Sequence, residues 1–255
     1  MARVRVRSTV VVVGVVIALT HLVALLLDAE TLTTVTKALL MPALATFVLV
    51  ATTRPRSRRV RLTLVALGLS WMGDTAPFAA PDDVAFLVMV GFFLLAQLAY
   101  IAAFGPSANG GPLRRRPALV LPYTVALAAL LVACVPGAGT LVGPAVVYGA
   151  CLVTMAALAT GVHPLAAVGG VVFLASDAMI ALGQFTTWFT PPAADFWVML
   201  TYVAGQALLV AGVLAADRVD RSICRPNRQP IVCTGAGRVT PEPSRRGSTG
   251  GRSSG

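Results

Sequence analysis

The chain has 255 residues and a mean hydropathy of +0.82; 57% of its residues are hydrophobic and 12% charged. A water-soluble domain is about half apolar and about a quarter charged, so this chain lacks the polar surface to cover a soluble core of its size. The net charge of +10 does not mark a nucleic-acid binder: nineteen of the twenty basic residues are Arg, and all of them lie outside the apolar stretches, in alternate loops and the tail. No ten-residue alternation of apolar and polar positions suggests a β-barrel.

Apolar runs long enough to cross the bilayer, about 20 residues each, recur along the whole sequence and predict an all-α, polytopic membrane bundle of about eight transmembrane helices. In chain order the spans are Thr9–Leu27, Leu32–Ala51, Leu62–Ala80, Val84–Phe104, Pro117–Val135, Leu141–Thr160, Pro164–Phe185 and Asp195–Ala216. The first run is about twice the length of a signal-peptide core and reads as an uncleaved anchor. Between spans lie breakers such as Asp28-Ala29-Glu30, Pro81-Asp82-Asp83, Pro136-Gly137-Ala138-Gly139 and Pro191-Pro192. Residues 1–216 thus form a transmembrane domain. Residues 217–255, rich in Arg, Pro, Gly and Ser, are expected to be a disordered basic tail.

Loop charge sets the orientation. Arg3, Arg5 and Arg7 precede span one; Arg54, Arg56, Arg58, Arg59 and Arg61 separate spans two and three; Arg114, Arg115 and Arg116 separate four and five; Arg218, Arg221 and Arg225 follow span eight. The intervening loops carry only acidic charge. Eight crossings place every Arg cluster on one side, which the positive-inside rule makes cytoplasmic. A multi-pass protein of the plasma membrane with both termini in the cytoplasm is expected. Gly73-Asp74 and Ser176-Asp177 recur 103 residues apart, and Gln97 and Gln206 recur 109 apart. That spacing is consistent with two parallel four-helix halves enclosing a site.

Chemistry concentrates in a few intramembrane polar residues. Lys37, Asp74 and Asp177 are the ionisable acids and base within the spans, each costing roughly 2.5–3.5 kcal/mol at mid-membrane unless paired or used. At 1.5 Å per residue, Asp74 and Asp177 lie about 19 Å, and Lys37 about 22 Å, above the cytoplasmic boundary. Tyr148 and Tyr202 share that layer. Gln97 and Tyr100 are spaced i,i+3, and Tyr202 and Gln206 i,i+4, so each pair faces one way. His21 lies at similar depth without a second His and reads as a packing residue; His163 reads as a helix-boundary residue, and Trp188 and Trp197 as interfacial anchors. Cys134, Cys151, Cys224 and Cys233 have no metal or disulfide spacing, and no cofactor or metal is expected. Two carboxylates sharing a low-dielectric pocket cannot both ionise cheaply, so one stays protonated and the pair offers an acid and a base. No Ser-His-Asp set or GxSxG elbow accompanies them.

These motifs resemble the YhhN family, the lysoplasmalogenases. The resemblance is carried by Thr36-Lys37-Ala38-Leu39-Leu40-Met41-Pro42, by Met72-Gly73-Asp74, by Gly170-Val171-Val172-Phe173-Leu174-Ala175-Ser176-Asp177 running on to Phe185, and by Tyr202 with Gln206. It covers roughly residues 32 to 215. It implies an eight-helix membrane fold and hydrolysis of the vinyl-ether bond of lysoplasmalogens, giving a fatty aldehyde and a glycerophospho-ethanolamine or -choline. It also implies functional positions at Lys37, Asp74, Ser176 and Asp177. The sequence departs at Gln97, where many members resemble one another in having His, and at Ala38, where Pro is commoner.

Residues and resemblance together predict catalysis by Asp74 and Asp177. One would protonate the vinyl-ether carbon while the other steadies the resulting cation. Lys37, Tyr148, Ser176, Tyr202, Gln206 and Gln97 are the expected substrate-binding residues, and the expected partners are a lysophospholipid and the bilayer, not nucleic acid. The alternative is a small-molecule or lipid transporter that uses the Asp–Lys cluster as a proton switch.

Overall fold

The computed structural model describes residues 2–108 and 117–223; Arg114 to Arg116 and the tail beyond residue 223, with Cys224, Arg225 and Cys233, lie outside the described residues. Among the described residues all regular secondary structure is helical. Its α-helices are α1 (Ala2–Leu26), α2 (Glu30–Ala51), α3 (Arg58–Thr75), α4 (Asp82–Ala108), α5 (Leu121–Ala138), α6 (Val142–Ala159), α7 (Pro164–Phe185) and α8 (Ala194–Ile223). Short 3₁₀ turns at Ala76–Ala79, Pro117–Val120 and Gly139–Leu141 adjoin them.

Among the described residues, six helical stretches are long and apolar enough to cross a membrane. One of these, 118–159, contains both α5 and α6, which the turn at Gly139–Leu141 separates. The shorter α3 carries Arg58, Arg59, Arg61 and Asp74 and is not among the six. The outward faces confirm the solvent: Val12, Val16, Leu19, Val23, Val125, Val132 and Val171 are all exposed, an apolar exterior that only lipid tails accommodate. This is a multi-pass, all-helical membrane protein.

Helix boundaries follow local chemistry. Ser57 caps α3 by accepting from the Val60 amide at 3.3 Å, and His163 caps α7 by accepting from Leu165 at 3.1 Å with Pro164 in the first turn. The apolar run predicts a start for α3 at Leu62, because Arg is costly in an apolar span, yet the helix starts four residues earlier, at Arg58, directly after the Ser57 cap. Likewise α8 continues from Ala216 to Ile223, where Arg221 reaches back to Asp217 at 2.8 Å in an i,i+4 pair.

Pro42 interrupts α2 by leaving the Ala38 carbonyl without its backbone donor. The Trp71 indole N–H of α3 donates to that carbonyl at 2.9 Å, one of the ways a membrane helix re-satisfies a freed backbone group. Helices α7 and α8 approach closely over small residues. A Cβ at Gly212 would lie 2.5 Å from the Ala166 nitrogen, and one at Gly205 2.9 Å from the Phe173 nitrogen, the small-residue packing typical of membrane helices. The core between the helices is built on Met41, Leu67, Tyr100, Phe104, Met155, Phe173 and Leu209, all nearly inaccessible.

One end of the bundle gathers the arginines. Arg58 donates to the Ala102 carbonyl at 2.6 Å, and Arg59 meets Asp220 and Ser107, each at 3.0 Å. Arg221 donates to the Pro55 carbonyl at 3.0 Å. The start of α3, the ends of α4 and α8, and the loop after α2 therefore lie together. Phe86 and Phe185, 6.0 Å apart edge to face, mark the far end, where α4 begins and α7 finishes.

Candidate active site

The polar layer expected from depth alone resolves into two carboxylate clusters. In the first, Asp74 of α3 is 4% exposed. It accepts a hydrogen bond from the Tyr202 hydroxyl of α8 at 2.7 Å, and Lys37 of α2 lies 4.0 Å from its other oxygen. One helical turn toward the arginine end, Gln206 of α8 donates to Ser70 of α3 at 3.1 Å and accepts from Tyr100 of α4 at 2.6 Å. Asp74 and Ser70 are thus matched rung for rung by Tyr202 and Gln206, as two i,i+4 pairs on antiparallel helices allow.

In the second cluster, Asp177 of α7 accepts from the Tyr148 hydroxyl of α6. Both residues wall a cavity of about 80 Å³ whose remaining lining is almost wholly apolar, including Phe86, Phe93, Leu131 and Cys134. The cavity lies between α4, α5, α6 and α7 in the half of the bundle away from the arginines. Asp177 has no basic side chain within ion-pair distance among the described residues, whereas Asp74 has Lys37.

Phe93 joins the two clusters. Its ring lines the cavity on one side and meets the Tyr202 ring edge to face at 5.7 Å on the other. Gly73, the neighbour of Asp74, makes room for it: a Cβ there would sit 2.9 Å from the Phe93 ring. Gln97, one turn along α4 from Phe93, is fully buried and within interaction range of Tyr148. Neither its amide nitrogen nor its oxygen makes a hydrogen bond of ordinary geometry.

Of the residues expected at the site, Asp177 and Tyr148 wall the cavity, and Lys37, Asp74, Tyr202 and Gln206 form the neighbouring network. Ser176 points elsewhere, donating to the Val198 carbonyl of α8 at 2.9 Å. His21 bonds Thr36 across the α1–α2 contact at 2.9 Å. Trp188 and Trp197 are exposed beside the loop they bracket. Among the described residues no group of three or more His, Cys, Asp or Glu side chains could hold a metal. Sequence reasoning missed Ser70 and Phe93. Ser70 was findable, because it stands four residues before Asp74 as Tyr202 stands four before Gln206.

A helical membrane bundle with two buried tyrosine-bound carboxylates, one of them on an apolar cavity, defines the class of protein. The chain belongs to the YhhN family, whose model matches residues 32–213. It is 36% identical over 182 residues to lysoplasmalogenases of Mycobacterium bovis and Mycobacterium tuberculosis, the match covering 69% of this chain and 69% of each relative. No solved structure is a significant match.

Proposed function

We propose that the protein is a membrane-embedded hydrolase that cleaves the vinyl-ether bond of lysoplasmalogen-type lysophospholipids, releasing a fatty aldehyde and a glycerophospho-alcohol. Family membership and the named activity of the relatives support the substrate class. The observation that carries the chemistry is Asp177 with its Tyr148 partner on the wall of an otherwise apolar cavity. A vinyl ether is an apolar, acid-labile group. It needs a proton donor in a place where an alkenyl chain can lie.

The unequal surroundings of the two carboxylates divide the roles. Without a cation beside it, Asp177 is better buried as the neutral acid; Asp74, with Lys37 at 4.0 Å, is the one that keeps its charge. Asp177 gives its proton to the β-carbon of the vinyl ether, whose π electrons form the new C–H bond and leave an oxocarbenium ion. The negative field of Asp74 and the newly formed Asp177 carboxylate steadies that cation. Water adds to the cationic carbon and returns a proton to Asp177. The hemiacetal then breaks its C–O bond, giving aldehyde and alcohol. Lys37, a quarter exposed, retains hydrogen-bonding capacity for the headgroup phosphate, and Tyr148 and Tyr202 hold the carboxylates in place.

The same reading takes α1 to α8 as eight crossings, with the arginine end and both termini in the cytoplasm of a plasma-membrane protein. The cavity then opens in the outer half. Tight packing of Tyr100, Phe104 and Met155 below it favours a one-sided pocket over a transport path. The test is to present purified protein with a panel of lysolipids and assay aldehyde. Release from 1-alkenyl lysolipids, but not from 1-acyl or 1-alkyl analogues, is expected. No release from any alkenyl lipid rejects the assignment.

A further inference from the structure

Two glutamines of the polar layer have opposite fates. Gln206 has both ends of its amide engaged, by Tyr100 and by Ser70. Gln97 is equally inaccessible, yet neither its Nε2 nor its Oε1 makes a hydrogen bond of ordinary geometry, although the Tyr148 hydroxyl lies within interaction range. A buried primary amide left unbonded is costly and rare, and small polar molecules are the usual remedy. Its neighbours narrow the choice of molecule. On one side is Tyr148, whose hydroxyl is committed to Asp177 but whose oxygen retains acceptor capacity. One turn away is Phe93, on the cavity wall. The cavity's volume of about 80 Å³ accommodates several waters at about 10–15 Å³ each, yet almost all of its lining offers them nothing to bond.

We infer that Gln97, with the Tyr148 oxygen, forms the binding site for the water that hydrolyses the substrate. The inference rests on the hydrolase reading above and deepens it by assigning the nucleophile. The reaction consumes one water per turnover at a site surrounded by hydrocarbon, so that water has to be held by the protein. Gln97 is suited to this because it offers an acceptor and a donor but no proton of its own to lose. Held by the amide, the water oxygen attacks the oxocarbenium carbon. As the new C–O bond forms, one water proton passes to the Asp177 carboxylate, directly or through the Tyr148 hydroxyl, and the acid is regenerated.

Nucleophile partitioning tests this. Full-length wild-type protein, Gln97→Leu and Gln97→Ala are each given a 1-alkenyl lysophosphoethanolamine in buffer containing methanol. Capture of the cation by methanol yields a mixed acetal heavier than the substrate by one methanol, whereas capture by water yields aldehyde; mass spectrometry counts both. Wild type is expected to give almost only aldehyde. Gln97→Ala, which frees the space, should raise the acetal-to-aldehyde ratio on the order of tenfold, and Gln97→Leu should lower aldehyde formation with little change in KM. A purely packing role for Gln97 would slow both captures together. An unchanged ratio in Gln97→Ala, with activity retained, therefore overturns the inference while leaving the hydrolase reading intact. Absence of aldehyde from the wild-type protein overturns both.

Discussion

The two carboxylate clusters lie on either side of Phe93 and share a design, a carboxylate receiving a tyrosine hydroxyl, but they differ in what surrounds the second oxygen. Asp74 faces an ammonium and is backed by the Gln206–Ser70–Tyr100 network. Asp177 faces an apolar cavity. The tyrosines also come from different places: α8 serves α3, while α6 serves α7. The sequence echo between Gly73-Asp74 and Ser176-Asp177 therefore does not extend to their partners. Identical residue types have been given unequal environments, and unequal environments are what separate an acid from a base.

Several substitutions sharpen or break that contrast. Asp177→Asn removes the proposed proton donor and should reduce aldehyde release by about 10³-fold or more, within the range for general-acid loss, with insertion and helix content unchanged by circular dichroism. Asp74→Asn should follow at about 10²-fold, because a field-stabilising group is lost while the donor remains. Equal activity in both variants and wild type would end the catalytic assignment. Tyr148→Phe should cost more turnover than Tyr202→Phe, by roughly tenfold, since only the former touches the cavity acid; the reverse order would move the chemistry to Asp74. The smallest effect is structural. Trp71→Phe strands the Ala38 carbonyl freed by Pro42 and should lower stability by about 1–2 kcal/mol, read as an earlier thermal transition in detergent.

Much of the fold was legible because hydrophobic length and loop charge are one-dimensional signals. The eight stretches read from the sequence each correspond to a helix among the described residues, and the arginines at the start of α3 and the end of α8 lie at one end, as Arg59 with Asp220 and Arg221 with Pro55 show. What the sequence concealed was acidic compensation there: Asp217 and Asp220 looked like the start of a solvated tail, but they bind Arg221 and Arg59. At the site, the grouping of Lys37 with the intramembrane carboxylates followed from shared depth and the expense of unpaired charge, though not which of the two it meets. The choice of tyrosine for each carboxylate did not, because depth fixes a layer but not a neighbour within it. Nor could spacing reveal that Gln206 is fully bonded and Gln97 is not. That distinction depends on which helix stands opposite, a tertiary fact.

The web around Arg221 bears on how this protein is cut for experiment. A fragment ending at Ala216, where the apolar run stops, would sever α8 seven residues before its last described turn at Ile223 and delete Asp217, Asp220 and Arg221 in a single stroke. The loop at Thr53 and Pro55, clasped by Arg221, would lose its tether, and Arg59 its counterion. Expression libraries that trim the basic tail should therefore begin their deletions beyond Ile223, so that this fastening between the first quarter of the polypeptide and its final helix stays whole.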